Sequence, residues 1–433
     1  MERIIIAGAG IGGMTLAGFL SKQGYTVDVY EKAASLDEMR YDWHDDVAPS
    51  VFKELGFNMP KENAPKNDWT FVSPFDKSRQ TMKTPVETRD HSIERRPLNK
   101  MLFDFGGNAN YHFGAAVQSL IIEDGKVKGI VVNGKEERAA LTVDSLGLNS
   151  VLRNGLPKEF KIQNAIGDNE KFVAYRGFFN RIEGKADESE PSRVYMKHLG
   201  ENGISWCLFD HDPKKMNVLI GRVGKLSDET FNRAMADLKE KNPALGDTLL
   251  RGGIVCQIPI RYPISRMMAD GYVLIGDSAF MTIPMLGSGI ASSMAAAKIL
   301  SDVIAENKKF DKASLWEYQV RCFKRFGSEH CGVDSLKRFL LGLKDDTLAW
   351  VFGSGLLNDN DLKNAAAGRL VTIKLKDYPE KLKHAKGHFK ELLSMKFALD
   401  RSNKCYRKAK TIPTKFNEKK VSKWQDMLDG LFK

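Results

Sequence analysis

Residues 3–31 read RIIIAGAGIGGMTLAGFLSKQGYTVDVYE and carry the strongest structural pattern in the sequence. The β-branched run 3–7 predicts a strand, and the glycine-rich turn 8–13 follows it directly. Residues 14–23 have the pattern of a helix, and a second strand then ends at Glu31. A strand, a glycine turn, a helix and a second strand in this order predict a βαβ unit, and therefore a parallel sheet.

The glycines of this turn match the requirements of a bound dinucleotide. Gly8 allows the tight turn, Gly10 lets backbone amides approach a pyrophosphate, and Gly13 lets the helix pack close to the strands. Glu31 is placed to accept hydrogen bonds from an adenosine ribose. A glycine turn without a ligand is the alternative, but the complete order of elements favours dinucleotide binding. The contacts predicted in this unit are Gly8, Gly10, Ile11, Gly12, Gly13, Glu31 and Lys32.

A second motif indicates that the dinucleotide is FAD. A buried strand ends in Gly276-Asp277, where a carboxylate is suited to accept hydroxyl hydrogen bonds from a ribityl chain. A turn at residues 287–290 opens a helix of small residues, and its free amides would stabilise negative charge on the pyrimidine edge of a reduced flavin. A plain loop with a core helix is the alternative. The contacts predicted here are Gly276, Asp277, Pro284, Gly287, Ser288, Gly289 and Ile290.

Together these motifs resemble those of flavoproteins with the para-hydroxybenzoate hydroxylase fold, whose FAD domain is of the glutathione reductase type. The resemblance implies an α/β fold: a Rossmann-like FAD-binding domain interleaved with an antiparallel β-sheet substrate domain, followed by a helical C-terminal region. That family has an Asp-Gly pair ahead of a serine and an arginine; Asp144, Ser150 and Arg153 match it. Ser145 stands where glycine is usual, which weakens any inference about a nicotinamide contact at this segment.

The same resemblance implies further cofactor contacts. It places Asp144 among them, and it places Arg95 near the flavin pyrophosphate, with Arg96 as the alternative. For either arginine a surface salt bridge is the ordinary role. Backbone around Val117 is implied to meet the adenine.

Within this fold the closer likeness is to the geranylgeranyl reductase group. Residues 205–209 and 217–221 resemble its paired substrate-domain strands, and residues 284–290 resemble its Pro-x-x-Gly-x-Gly-Ile loop. Residues 316–340 resemble the helical stretch that follows. The likeness covers most of residues 1–340, and the rest of the chain finds no parallel.

The aromatic strand at residues 205–209 supplies the candidate cavity residues. The resemblance implies that Trp206 and Phe209 line a hydrophobic cavity, although plain core is the more ordinary role. Because strand side chains alternate, Trp206 and Phe209 lie on opposite faces, so only part of the motif can line a cavity. Cys207 is a candidate redox or flavin-proximal thiol, but a buried free cysteine is usually inert.

His44 is the other candidate catalytic residue. The segment from Tyr41 to Asp46 lies where this fold brings a loop toward the flavin ring. Because the unperturbed pKa of a histidine side chain is near 6.5, the two roles predicted for His44 are a proton donor and a contact on the dimethylbenzene side of the flavin. A helix N-cap formed by Asp45 and Asp46 is the competing interpretation. The histidine and the aspartates of this segment lack the helical or strand spacing that would bring them together around a metal ion, so no metal site is predicted.

The composition is that of a globular protein with uneven charge. The 433 residues are 42% hydrophobic and 28% charged, and five scattered cysteines suggest free thiols in a reducing compartment. No signal peptide precedes the first strand, so a cytoplasmic location is expected. From residue 361 onward, 19 Lys and Arg stand against 8 Asp and Glu, an excess equal to the net +11 of the whole chain.

The basic C-terminal region has three interpretations: a solvated helical surface, a site for anionic lipid headgroups or a phosphorylated substrate, and a nucleic-acid site. Residues 378–396 have apolar residues at helical spacing, and ordinary amphipathic helices carry lysines outside. We expect no nucleic-acid partner, whereas peripheral contact with an anionic membrane stays open. The oligomeric state is not predicted.

The domain boundaries follow from the motifs. The FAD-binding domain is predicted to comprise residues 1–75, 92–165 and 262–330. The substrate-binding sheet domain comprises residues 76–91 and 166–261. Residues 331–433 form the basic, mainly helical region.

The leading functional hypothesis is an FAD-dependent oxidoreductase that reduces or dehydrogenates a carbon-carbon double bond of an apolar, isoprenoid or lipid-like substrate. The first alternative is an NAD(P)H-dependent monooxygenase that hydroxylates an aromatic or other hydrophobic small molecule, since one fold hosts both activities. The second is a non-catalytic, flavin-loaded lipid-binding protein. NAD(P)H or another electron donor would reduce the flavin.

Overall fold

A computed structural model describes residues 2–39, 42–163, 165–185, 189–190, 192–371, 383 and 387–433. The strands are β1 Arg3–Ala7, β2 Thr26–Tyr30, β3 His44–Val47, β4 Asn63–Pro65, β5 Trp69–Val72, β6 Arg79–Met82, β7 His91–Glu94, β8 Asn110–His112, β9 Val117–Glu123, β10 Lys126–Val132, β11 Lys135–Arg138, β12 Leu141–Asp144, β13 Lys171–Arg181, β14 Ser192–Met196, β15 Gly203–Phe209, β16 Lys215–Val223, β17 Leu245–Pro259, β18 Met268–Ala269 and β19 Tyr272–Leu274. The α-helices are α1 Ile11–Lys22, α2 Pro49–Leu55, α3 Arg95–Phe105, α4 Val151–Asn154, α5 Asp228–Lys241, α6 Ile290–Asn307, α7 Lys312–Cys322, α8 Ser328–Leu341, α9 Asp345–Gly353, α10 Asp359–Ala366, α11 Phe389–Ala409 and α12 Glu418–Gly430.

The first large sheet has the strand order β18-β19-β12-β1-β2-β8. Strand β1 pairs in parallel with both β2 and β12, as the N-terminal pattern predicts. Ile4, Ile5 and Ile6 of β1 are fully buried, because a central parallel strand is covered on both faces. This sheet therefore confirms the predicted Rossmann-like unit.

The second large sheet has the order β17-β13-β16-β15-β14-β5-β6 and is antiparallel except between β5 and β14. One face packs on α5 through residues that include Cys207 and Leu238. The other face carries a second cluster that includes Trp69 and Phe352. Strand β5 belongs to this sheet, although the predicted boundary assigns residues up to 75 to the FAD-binding domain; the domain division itself stays a prediction.

The C-terminal helices pack back onto the rest of the chain. A π-helical turn, Phe323–Gly327, joins α7 to α8 without a break, and α11 lies along α8, where Ser402 donates a hydrogen bond to the carbonyl of Gly332. In α12, Asp429 accepts hydrogen bonds from Tyr262 and Ser265. Within the described residues, no helix has the length and apolar character needed to cross a bilayer.

Candidate active site

The glycine turn between β1 and α1 forms a cradle of backbone atoms. Gly8 has a φ of +96°, and a Cβ added to it would lie 2.5 Å from the carbonyl oxygen of Ser145. A Cβ on Gly13 would lie 2.3 Å from the carbonyl oxygen of Gly8. Helix α1 starts after Gly10, which offers no capping side chain, and its first turn has no acidic residue. Unsatisfied amides at a helix start suit an anion, so this cradle fits the pyrophosphate of FAD.

Glu31 is held at the rim of this cradle. Its carboxylate accepts hydrogen bonds from the backbone amides of Ala9, at 2.9 Å, and Ala33, at 3.0 Å. The amide of Ala115 bonds to the carbonyl of Glu31, which brings the segment that leads into Val117 alongside. Glu31 and the segment before Val117, the predicted contacts of the ribose and the adenine, therefore lie side by side at this rim. Lys32, in contrast, points its side chain into solvent on the exposed surface.

Asp277 lies next to the cradle. A Cβ on Gly12 would lie 3.1 Å from the Cγ1 of Ile275, so the Gly276-Asp277 turn adjoins the start of α1. Burial raises the pKa of Asp277 to about 6, against the opposing charge of Arg95. A Cβ on Gly289 would lie 3.2 Å from the Asp277 Oδ1. The same Cβ would lie 2.8 Å from the Cγ2 of Thr282, so a side chain at this position would be crowded between Thr282 and the carboxylate.

The start of α6 repeats the features of the start of α1. Its N-cap residue is Gly289, which has no capping side chain, and its first turn also lacks an acidic residue. Pro284 is buried, while Gly287 and Ser288 are partly exposed and Ile290 is the buried first residue of α6. The uncapped starts of α1 and α6 thus flank Asp277. This is the arrangement expected for FAD, because its diphosphate would meet one helix start and its flavin ring the other.

Asp144 has a different place from the one that the resemblance implies. It is fully buried and accepts hydrogen bonds from the hydroxyls of Ser150, Tyr272 and Ser278 and from the amide of Leu146. These donors occupy its oxygen lone pairs, so the carboxylate has no capacity left for a ligand. Asp144 instead ties the loop after β12 to the Gly276-Asp277 turn.

Arg95 is the first residue of α3 and pairs with Asp45, with 2.7 Å between its Nε and the Asp45 Oδ2. Its charge acts on both Asp277 and Cys256, which places the pair close to the predicted flavin site. Burial raises the pKa of the Cys256 thiol to about 12. Cys256 was not singled out from the sequence, because a single cysteine on an edge strand carries no pattern. Arg96 forms an exposed salt bridge with Asp42, its ordinary role.

His44 lies on β3 in a buried charged network. Its Nε2 lies 3.1 Å from the Glu94 Oε1 and 2.8 Å from an Nη2 of Arg251, and its Nδ1 lies 3.5 Å from the Asp210 Oδ2. The hydrogen bond with His44 lowers the pKa of Glu94 to about 2. Ionised Glu94 only accepts and Arg251 only donates, so the His44 Nε2 hydrogen-bonds to Glu94 when it carries a proton and to Arg251 when it does not.

The competing interpretation of the His44 segment is wrong. Asp45 and Asp46 lie on β3, where Asp46 pairs with Lys66 at 2.8 Å, and the N-cap residue of α2 is Ala48. Strand pairing with β7 overrides the local capping preference. Tyr41 lies outside the described residues. No cluster of His, Cys, Asp and Glu suited to a metal ion occurs in the described part of the chain.

A large apolar cavity opens between the second sheet and the C-terminal helices. Its volume is about 430 Å³, and residues from β5, β14, β15, α8, α9, α10 and α11 line it. Met285 and Leu286, between Pro284 and Gly287, form part of the same wall. The cavity therefore reaches the loop that is predicted to hold the flavin. Apart from Asp361 and Lys396, its described lining is apolar.

The predicted aromatic pair does not line this cavity within the described residues. Trp206 packs on Trp69, with ring centroids 5.8 Å apart, and its Nε1 donates to Asn217. Phe209 lies on the opposite face, against the α5 cluster, with the Arg181 guanidinium 4.1 Å above its ring. Strand alternation separates the two, and Ile204, on the Trp206 face, lines the cavity instead. Burial raises the pKa of Cys207 to about 12, as for an inert thiol.

Known proteins resemble this chain in sequence and in fold. A family profile described as an NAD(P)-binding Rossmann-like domain matches residues 6–43. The digeranylgeranylglycerophospholipid reductase of Sulfolobus acidocaldarius is 24% identical over 379 residues, which cover 84% of this chain and 82% of that protein. A geranylgeranyl bacteriochlorophyll reductase-like structure from Thermoplasma acidophilum superimposes with a TM-score of 0.71 at 18% identity, covering 92% of this chain and 100% of that one. For a triple mutant of the flavin-dependent brominase Bmp2, the TM-score is 0.63 at 16% identity, and the match covers 90% of this chain and 100% of that one.

These similarities confirm three expectations. The resemblance to the geranylgeranyl reductase group holds in sequence, and the α/β fold with a Rossmann-like FAD domain holds in structure. In sequence the chain resembles reductases, and in fold it resembles a reductase-like structure and a flavin-dependent brominase, which favours the reductase class over the monooxygenase class. FAD is supported as the cofactor.

Proposed function

We propose that this chain reduces carbon-carbon double bonds in the isoprenoid chain of a lipid-like substrate. The observation that carries the proposal is the apolar cavity, whose wall includes Met285 and Leu286 of the predicted flavin loop. A volume of about 430 Å³ lies in the range of sites that take up a small ligand, and an apolar lining selects a hydrocarbon chain. The reductase of Sulfolobus acidocaldarius, by its name, acts on a phospholipid that carries geranylgeranyl chains.

The residues of this chain would hold the cofactor and exclude water. The cradle of Gly8, Gly10 and Gly13 binds the pyrophosphate, Glu31 binds the ribose, and Asp277 binds the ribityl chain. When bound, reduced FAD supplies a hydride to one carbon of the double bond, and a proton completes the reduction at the other. The apolar walls keep bulk water away from the reacting bond.

His44 is our candidate for moving that proton. Its Nε2 has a hydrogen-bond partner in both states, Glu94 when the atom carries a proton and Arg251 when it does not, so the network supports gain and loss of a proton at this atom. Cys207, the other candidate, is buried on the α5 side with a raised pKa, which argues against a redox role.

The test is anaerobic turnover. Purified protein that carries flavin is reduced with dithionite without oxygen, mixed with a geranylgeranylated glycerophospholipid in detergent, and the lipid is analysed by mass spectrometry. We expect the lipid to gain two hydrogens for each double bond reduced, as the flavin colour returns. Product that forms only with oxygen and carries an added oxygen atom would instead establish the monooxygenase. A protein that no donor reduces would establish the flavin-loaded lipid-binding alternative.

The electron donor and the location are also proposals. Bleaching of the flavin by NADH, NADPH or neither identifies the donor. We propose a cytoplasmic protein that meets the membrane peripherally. The proposal is supported by the scattered cysteines, which suggest a reducing compartment, and by the excess of positive charge in the C-terminal region.

A further inference from the structure

Helix α11 presents large apolar side chains to solvent. Phe389, Leu393 and Phe397 follow one another at successive turns and are 62%, 51% and 62% exposed. The opposite side of the helix, including Met395, Leu399 and Ser402, is buried against the body of the protein. The helix is thus anchored by one face and leaves an apolar stripe, Phe389, Leu393 and Phe397, uncovered. An uncovered stripe of this kind marks an interaction surface.

The stripe is continuous with the apolar cavity. Phe389 and Leu393 line the cavity while they are also exposed, whereas Phe397 is exposed without lining it. Leu392 and Met395 of the same helix extend the cavity lining inward. An apolar chain that enters the cavity at α11 would therefore pass directly from the surface stripe to the interior.

Positive charge surrounds the stripe. Helix α11 has six Lys and Arg against two Asp and Glu, and Lys390, Lys404 and Lys408 are exposed on it. One of its two acids, Asp400, is paired with Lys396 at 2.8 Å. A second copy of the chain would bring an equally positive surface, so like charges oppose self-association here. An anionic surface is attracted.

We propose that the stripe on α11 docks the protein on an anionic phospholipid bilayer, with the cavity opening toward the acyl chains. Aromatic and leucine side chains enter the boundary between headgroups and acyl chains, and the lysines beside them bind the headgroups. The reason for such docking rests on the proposed function, since a lipid substrate would move from the bilayer into the cavity. The binding itself does not depend on turnover.

The experiment is flotation of the full, flavin-loaded chain with vesicles of phosphatidylcholine alone or with about 30% phosphatidylglycerol, a share that supplies the negative surface potential. We expect binding to the anionic vesicles that is at least tenfold stronger than to the neutral ones and that weakens in high salt. Phe397→Gln should lower the partition coefficient about tenfold, because one buried aromatic side chain is lost. Lys404→Gln with Lys408→Gln should lower it by a similar factor and reduce its salt dependence.

Val151→Gln is the matched control, since Val151 is 48% exposed on α4 and should leave binding unchanged. Flavin content and thermal unfolding verify that each variant is folded. Equal binding by the wild type and Phe397→Gln, or no binding to anionic vesicles, would overturn the proposal. So would a wild-type dimer, seen by light scattering, that Phe397→Gln converts to monomers. Because no turnover is measured, an inactive protein that still floats would refute the proposed function and leave the docking surface in place.

Discussion

The glycine turn at residues 8–13 and the helices after residue 340 build two halves of one site in different ways. The turn is built from backbone atoms, and its close contacts with neighbouring carbonyl groups need glycine at particular positions. These glycines are visible in the sequence. The cavity works through ordinary leucines, methionines and phenylalanines from distant strands and helices. Any of these residues looks like core until the fold brings them together. A site built from backbone therefore leaves a local pattern in the sequence, whereas an apolar cavity built from distant side chains leaves none.

Gly8→Ala should have the largest effect. The added Cβ meets the Ser145 carbonyl at 2.5 Å, and the φ of +96° is itself strained for alanine, so we expect about 4 kcal/mol of lost stability and a colourless protein. Gly56→Ala is the control, because its φ is +74° but nothing lies within 4 Å, and strain alone costs about 1 kcal/mol. Thermal unfolding measures the stability of each variant, and the visible absorption spectrum measures its flavin content. Equal losses in the two variants would show that the close approach is unimportant.

Asp144→Asn should cost about 3 kcal/mol, because the amide leaves buried hydroxyl donors without their acceptor. Denaturant unfolding measures this loss. Asp311→Asn provides the comparison, since Asp311 caps α7 by accepting from the amide of Ser314 and asparagine caps equally well; its cost should stay under about 0.5 kcal/mol. A stable Asp144→Asn variant that binds no flavin would restore this residue to the cofactor contacts.

Met196→Trp should fill part of the cavity and leave the cradle intact. We expect kcat/KM for the geranylgeranylated lipid to fall about thirtyfold, near 2 kcal/mol, with unchanged flavin content. Met196→Leu conserves volume and should keep most of the activity. Loss of flavin in Met196→Trp would show that the two halves are not separable. Unchanged activity would place the substrate elsewhere.

Asp277 predicts the smallest effect, a pH dependence of the protein freed of its flavin. Burial raises the pKa of Asp277 in the folded state to about 6, above its ordinary value near 4, so folding favours the protonated carboxyl. Its contribution to stability is therefore complete below about pH 4 and is lost as the pH rises through 6. The difference of about two pKa units corresponds to about 3 kcal/mol, which the partial exposure of Asp277 to solvent reduces to at most about 2 kcal/mol. The free energy of unfolding of the wild type and of Asp277→Asn, measured between these pH values, gives the contribution of Asp277 ionisation as the difference between the two curves. Parallel curves for the two proteins would contradict it.

Sequence reasoning predicted most of the fold and the cofactor side of the site. The strand, turn and helix at the N-terminus and the Gly276-Asp277 turn carry local constraints, and the structure brings them together. Sequence reasoning could not predict that the Asp144 carboxylate is occupied by contacts within the chain. Asp144 and Asp277 both follow buried strands, and only tertiary hydrogen bonds distinguish them. The network of His44 with Arg251 and Asp210 joins residues more than 160 positions apart, which no spacing reveals.

The π-helical turn at Phe323–Gly327 lets the continuous helix formed by α7 and α8 pack against two different parts of the protein. A π turn contains one residue more than an α turn, which advances the phase of everything after it by about 100°. Trp316 before the turn packs on Trp424 of α12, while Leu336 and Leu340 beyond it line the cavity. Without the extra residue, α8 would point a different side inward. A single inserted residue thus sets the rotation of α8 about its axis, and this rotation turns Leu336 and Leu340 toward the apolar cavity beside the predicted flavin loop.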